Sequence, residues 1–219
     1  MRIAIVGAGH IGGNVARQAS RAGHEVMLSF ARDEDKLRAL ADDLGASTGS
    51  PAEAVQFGDL VVLSVPWSAL PEALGQMGDL AGRIVVDTTN QFGSGPLPAA
   101  GQTAAAFNQA RMPRARYTKS FNTLTAGFQA TTAGRSDDQR VVQWVCGDDT
   151  EAKQAVARFI DSLGYAAVDL GGVATCGVME APRRPGAVYG EEYRFSDAQA
   201  VVDAVRAGRP IPPTPRYAP

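Results

Sequence analysis

Gly7-Ala8-Gly9-His10-Ile11-Gly12 follows the apolar run Arg2-Ile3-Ala4-Ile5-Val6 and opens a helical period from Ile11 to Arg21. Ile11, Val15, Ala16 and Ala19 share one face of that period. The stretch fits GxGxxG in the one setting where the motif has mechanical meaning, after a strand and before a helix. Gly7 permits a tight turn, Gly9 lets backbone approach a pyrophosphate, and Gly12 lets the helix pack closely on the strand. The helix amino end then turns unpaired N–H groups and a positive dipole toward phosphate. Gly7, Gly9, His10, Ile11 and Gly12 are therefore read as the phosphate loop of a dinucleotide site, with the His10 side chain flanking the phosphates.

Working outward, short β-branched runs alternate with helical periods. That pattern predicts an α/β fold, a doubly wound Rossmann-type parallel sheet with a small C-terminal extension. Predicted strands are Arg2–Val6, Glu25–Phe30, Leu60–Val65, Ile84–Asp87, Tyr117–Leu124, Val141–Cys146 and Ala166–Leu170. A helix is predicted over Glu34–Leu44 with Gly45 as its stop, and Ser50-Pro-Ala-Glu53 reads as a capping box opening another. Asp148 and Glu151 are expected to cap a helix running to Leu163. Ser196 is expected to cap a last short one carrying Ala198, Val201, Val202 and Val205. The chain divides into a dinucleotide domain, 1–172, and an extension, 173–219, whose prolines from Arg209 onward exclude regular structure. The last helix is too short to stand alone in water and must dock on a surface. The expectation is a homodimer in which Arg183–Pro219 touches the partner or covers the pocket.

The second strand decides the cofactor. An NAD site carries an acidic residue at that strand's end, about 20 residues past the glycines. Here the strand ends Leu28-Ser29-Phe30-Ala31, followed by Arg32 and then Lys36. A hydroxyl and two cations suit a 2′-phosphate, so Ser29, Arg32 and Lys36 predict NADP(H). Asp33, Glu34 and Asp35 are expected to complement the dipole of the following helix.

The bulk properties narrow the partners. A formal charge of −2 over 219 residues argues against nucleic acid and anionic membranes. No apolar run reaches the roughly 18 residues of a membrane helix, and the opening strand leaves no room for a leader. Cys146 and Cys176 form neither a metal spacing nor a disulfide framework, which fits a cytoplasmic setting.

Taken in order, several segments resemble the NADPH-dependent coenzyme F420 reductase family. They are Gly7–Gly13, Ala22-Gly-His-Glu-Val26, Ser29 with Arg32, Ser64-Val-Pro-Trp67, Val86-Asp-Thr-Thr-Asn90, Lys119-Ser-Phe-Asn-Thr123 and Val145-Cys-Gly-Asp-Asp149. Pro185–Tyr193 resembles the endings of a bacterial subgroup of dinucleotide-binding enzymes. The resemblance implies hydride exchange between NADP(H) and a deazaflavin, coenzyme F420. It places the nicotinamide near Ser64, Val65, Pro66 and Asn90, and the deazaflavin against Asn122, Leu124, Thr125 and Ala126. The chain departs from the family at Ser29-Phe30-Ala31-Arg32, often Ser-Asn-Ser-Arg there. It departs again at Asn122-Thr-Leu-Thr125, where founding enzymes resemble His-Thr-Ile-Pro.

No catalytic side chain and no metal site is assigned. Ketone reduction needs a proton donor, whereas hydride exchange between two bound rings needs stacking and exclusion of water. Two histidines in the whole chain suit the second chemistry better. Lys119 and Asn122 either polarise a substrate oxygen or have plainer roles, Lys119 facing solvent and Asn122 satisfying a turn. The alternatives are an NADPH-dependent reductase of flavin, quinone or imine, and a non-catalytic NADP-binding sensor.

Overall fold

The computed structural model describes residues 1–30, 32–96 and 98–217. Ala31, within the strand-end stretch read above, lies outside them. The chain runs β1 (Arg2–Val6), α1 (His10–Arg21), β2 (Glu25–Ser29), α2 (Glu34–Leu44), β3 (Ser47–Thr48), α3 (Pro51–Phe57), β4 (Leu60–Leu63) and α4 (Leu70–Met77). It continues β5 (Ile84–Asp87), α5 (Ala104–Ala110), β6 (Arg116–Lys119), α6 (Ala126–Thr132), β7 (Val142–Cys146), α7 (Thr150–Ser162), β8 (Ala166–Gly171) and α8 (Phe195–Arg206). A 3-10 segment, Val173–Met179, follows β8.

The strands form one sheet in the order β3-β2-β1-β4-β5-β6-β7-β8. All neighbours are parallel except β6 and β7, which meet antiparallel at Lys119 and Cys146. The order reverses between β1 and β4, so their carboxyl ends open a crevice where α/β sheets take ligands. Two apolar layers cover the sheet. Ala4, Val6, Val61, Leu63 and Val85 pack with Trp67, Tyr117 and Trp144. Ile3, Ile5, Val62 and Val86 pack with Val15, Ala16, Phe121 and Phe159.

Local signals fix several boundaries. The Ser50–Glu53 capping box is present, and Gly45 ends α2 in the left-handed region. Other expectations need correction. The predicted strand Tyr117–Leu124 stops at Lys119, because Phe121 adopts φ +57° and turns its ring into the core against Phe159 and Tyr165. The strands predicted to end at Phe30 and Val65 stop at Ser29 and Leu63. Asp149, not Asp148, caps α7, accepting from the Ala152 amide, while Asp148 accepts from the Val173 amide. Arg194 precedes α8 without a side-chain cap, and the Ser196 hydroxyl faces Asp197 instead.

The last helix finds its surface on its own chain. Ala198, Val201, Val202 and Ala204 are buried in α8, and Val201 and Val202 join the apolar layer that holds Leu170 of β8. Beyond it, Ile211 packs on that layer, and the Tyr217 ring lies 4.1 Å from the Arg194 guanidinium carbon. The Tyr217 hydroxyl donates to Asp197 at 2.7 Å.

Phe121 is the residue on which the β6 terminus turns. Phe121→Ala should cost about 3–5 kcal/mol, as truncation of a buried ring usually does. Urea unfolding followed by circular dichroism measures it.

Candidate cofactor site

The three glycines of the loop divide their work as the spacing implied. A Cβ on Gly7 would lie 2.3 Å from the Ser64 carbonyl oxygen, and φ there is +101°. A Cβ on Gly12 would lie 2.0 Å from the Gly7 carbonyl oxygen. Neither position admits a side chain, so the loop is drawn tightly against β4. Gly9 is the opposite case, since an added Cβ would meet nothing within 4 Å. The space in front of Gly9, at the amino end of α1, is open. No acidic residue occupies the first turn of α1, which leaves its positive end uncompensated. His10 is the first residue of α1 and is exposed beside that opening, whereas Ile11 is half-buried against the apolar layer.

Beyond the end of β2, a cavity of about 530 Å³ is lined by Phe30, Arg32, Thr48, Ser50, Ala69 and Glu72, among others. Arg32 is exposed in its wall and, among the described residues, forms no ion pair. Arg38, also in the wall, is bound to Glu34 and Asp35. Two of the three residues assigned to the 2′-phosphate do not reach this cavity. Ser29 is fully buried between β1 and β3 with its hydroxyl unpartnered, because its whole strand end lies inside the sheet. Lys36 pairs with Asp33 at 3.0 Å while remaining 86% exposed, and Asp33 caps α2 through the Lys36 amide.

At the other end, Ser64 accepts from the Thr88 hydroxyl at 3.0 Å, Val65 is buried and Pro66 is exposed. Asn90 donates to the Asn122 carbonyl at 2.8 Å, and Asn122 donates back to the Asn90 side-chain oxygen at 3.2 Å. Asn122 also donates to the Met179 carbonyl at 2.6 Å, and the Ala181 amide donates to Asn90 at 3.2 Å. These bonds gather the ends of β5 and β6 with the 179–181 segment. Thus Asn122 satisfies a turn, the plainer of its two roles. Leu124, expected to stack on substrate, is instead buried in the core with Phe121. The Thr125 hydroxyl caps α6 by accepting from the Phe128 amide, and the Ala126 carbonyl accepts from Asn14.

Beneath Asn90 lies a buried ion pair that sequence reading missed. Asp87 and Lys119 are both 0% exposed and stand directly opposite each other in the β5–β6 register, 3.5 Å apart. Lys119 therefore faces neither solvent nor substrate. It donates to the Thr89 carbonyl at 2.6 Å. Asp87 accepts from Tyr117, Asn108 and the Thr89 amide. Burial pushes the Asp87 carboxyl up. The Lys119 ammonium and these hydrogen bonds outweigh it, holding the group below its ordinary 3.8. Burial, then Asp87, drives the Tyr117 hydroxyl well above 10. An acid ending the apolar run Ile84–Val86 and a base ending the neighbouring strand Arg116–Lys119 were the signal in the sequence, since buried charges must pair.

With this geometry in hand, the chain can be set beside known proteins. The family described as NADP oxidoreductase, coenzyme F420-dependent, matches residues 2–91. Over those residues the chain is similar to that family.

Other proteins extend the likeness. A hypothetical protein of Sinorhizobium meliloti has a structure 28% identical, with a TM-score of 0.78, covering 89% of this chain and 95% of that one. A proposed F420-dependent NADP reductase of Arthrobacter sp. FB24 is 27% identical, with a TM-score of 0.69, covering 81% and 87%. The metalloreductase STEAP3 of Rattus norvegicus is 27% identical over 180 residues, 82% of this chain but only 36% of that protein. The chain thus spans about a third of the length of this curated relative.

Lys119→Met should destabilise the protein by about 3–5 kcal/mol at neutral pH, because it strands the Asp87 charge. The sign with pH is informative. In the wild type, Asp87 titrates below its unfolded value, so its contribution is present above about 3.8 and is lost as pH falls through the folded value. Without the ammonium, burial favours the protonated carboxyl, so the deficit should shrink as pH approaches about 4. Denaturant melts of both proteins from pH 4 to 7 measure it.

Proposed function

We propose that the chain binds NADP(H) across the carboxyl ends of β1, β2, β4 and β5 and passes a hydride between its nicotinamide ring and a planar redox ring of the deazaflavin type. The observation that carries this reading is the glycine loop, where Gly7 and Gly12 are sterically closed and Gly9 is open. The residues fit the dinucleotide. The α1 amino end and Gly9 would hold the pyrophosphate, and Arg32 would hold a 2′-phosphate in the adenosine-side cavity. Ser64, Val65, Pro66 and Asn90 would flank the nicotinamide. When bound, NADPH supplies the hydride.

The protein's own side chains favour ring-to-ring transfer over carbonyl reduction. Lys119 and Tyr117 are buried and spent on Thr89 and Asp87, and the Glu180 carboxylate is spent on the Ala104 and Ala105 amides. None of the three is free to protonate a nascent alkoxide. Asn90 and Asn122, locked to each other, keep the floor of the site rigid. A second reading, reduction of a flavin, quinone or imine, draws support from Leu124, which is buried where the resemblance would have it meet a deazaflavin.

NADPH should bind tighter than NADH by roughly 1.5–3 kcal/mol, the scale of hydrogen bonds to a charged group. Arg32→Ala should remove most of that preference and leave NADH almost unchanged. Fluorescence titration of both nucleotides is the check, and equal affinities in the wild type would contradict the assignment. Anaerobic mixing of NADPH with deazaflavin, flavin, quinone and imine acceptors, followed by absorbance, then identifies the acceptor. Tight NADPH binding with no turnover on any of them points to a sensor.

A further inference from the structure

Among the described residues, Phe92 is 55% exposed, a large apolar ring in water only two residues beyond Asn90. Its amide donates to the Asn90 carbonyl at 2.9 Å, which fixes where the ring begins. Across from it stands Tyr189, half-buried, with ring centroids 6.2 Å apart and planes 57° from parallel. Tyr189 belongs to the Pro185–Tyr193 segment, to which the dinucleotide reading gives no task. It is anchored on both sides. The Val188 amide donates to the Val178 carbonyl at 2.8 Å, and the Gly190 amide donates to the Thr123 carbonyl at 2.7 Å.

Below the two rings, the 120–123 turn carries the marks of a functional site. Phe121 is held at φ +57°, a conformation an aromatic residue adopts only when its surroundings enforce it. The Ser120 hydroxyl, the Asn122 side-chain oxygen and the Thr123 hydroxyl are buried without a hydrogen-bond partner. Such strain and unsatisfied polarity concentrate where a protein meets a ligand. The turn also joins Asn90, Met179 and Gly190, so both aromatic rings stand on one hydrogen-bonded floor.

We infer that Phe92, braced by Tyr189, is the docking platform for the second substrate and selects a planar fused-ring molecule. Leu124, buried in the core, leaves that role open. The inference rests on the dinucleotide reading above, since it assumes a nicotinamide ring near Asn90. At this distance and tilt the two rings pack on each other and brace the exposed Phe92, whose free face is open to stacking by a conjugated ring. An aliphatic acceptor gains nothing from it. Tyr189 acts here through its ring and not its hydroxyl, so Tyr189→Phe preserves the function.

Riboflavin, a fluorescent fused-ring probe, tests this without turnover. Its fluorescence is titrated with the full chain at saturating NADP+, for wild type, Phe92→Ala, Tyr189→Ala and Tyr189→Phe. Melting curves and NADP+ titrations of each variant confirm fold and cofactor site. The expected result is riboflavin binding by wild type, weakened roughly tenfold by either alanine and by less than about twofold in Tyr189→Phe. NADP+ affinity stays constant throughout. Equal riboflavin affinity in the alanine variants would overturn the inference. So would a Tyr189→Phe loss as large as that of alanine, which would make the hydroxyl the working group. A wild type that binds NADP+ but not riboflavin overturns it as well, leaving the dinucleotide site standing. A wild type that binds neither refutes the dinucleotide reading itself.

Discussion

Two glycines that tolerate no side chain hold this structure to its function. Gly7 presses on the Ser64 carbonyl and Gly12 on the Gly7 carbonyl. Because of those contacts, α1 starts against the carboxyl ends of β1 and β4, at the reversal of strand order. The helix dipole and its first free amides then point into the crevice instead of into solvent. Gly9, with open space before it, serves access, while its two neighbours serve closure. A larger residue at either closed position would push the helix off the sheet and move its amides away from the crevice.

The far half of the crevice is organised by charge. Asp87 and Lys119 end two adjacent strands, and between them they hold both polar groups of the Thr89 backbone. That fixes the short path from β5 to Asn90, which in turn meets Asn122 and Ala181. Replacing such a pair with apolar residues often costs little in stability. Its value here lies in geometry, since a well-packed apolar pair would leave the Thr89 amide and carbonyl without partners. The two halves of the crevice thus rest on different physics, steric closure at the glycine loop and buried hydrogen bonding at the ends of β5 and β6.

The parts legible in the sequence are those decided by neighbours along the chain. The strand, glycine turn and helix from Arg2 to Arg21, the Ser50–Glu53 box and the Gly45 stop depend on residues a few positions apart. What escaped depends on partners far away. Ser29 looks like a strand-end hydroxyl, and only its pairing opposite Val6 in a sheet buried on both faces removes it from the pocket. Lys119 looks like an alternating surface lysine until Asp87, 32 residues earlier, is found across the register. Phe121 and Leu124 fall in a stretch of β-prone Tyr, Thr and Phe residues that suggests strand, yet the turn at Phe121 sends both into the core. The tail shows the same limit, because the ring of Tyr217 is held by Arg194 and Asp197, some 20 residues earlier.

The most direct measurement is a crystal structure of the protein grown with NADP+. The account predicts the pyrophosphate against Gly9 and the α1 amides, the 2′-phosphate on Arg32, and the nicotinamide ring beside Ser64 and Asn90. A dinucleotide bound elsewhere, or one whose 2′-phosphate lies in solvent away from Arg32, would contradict it.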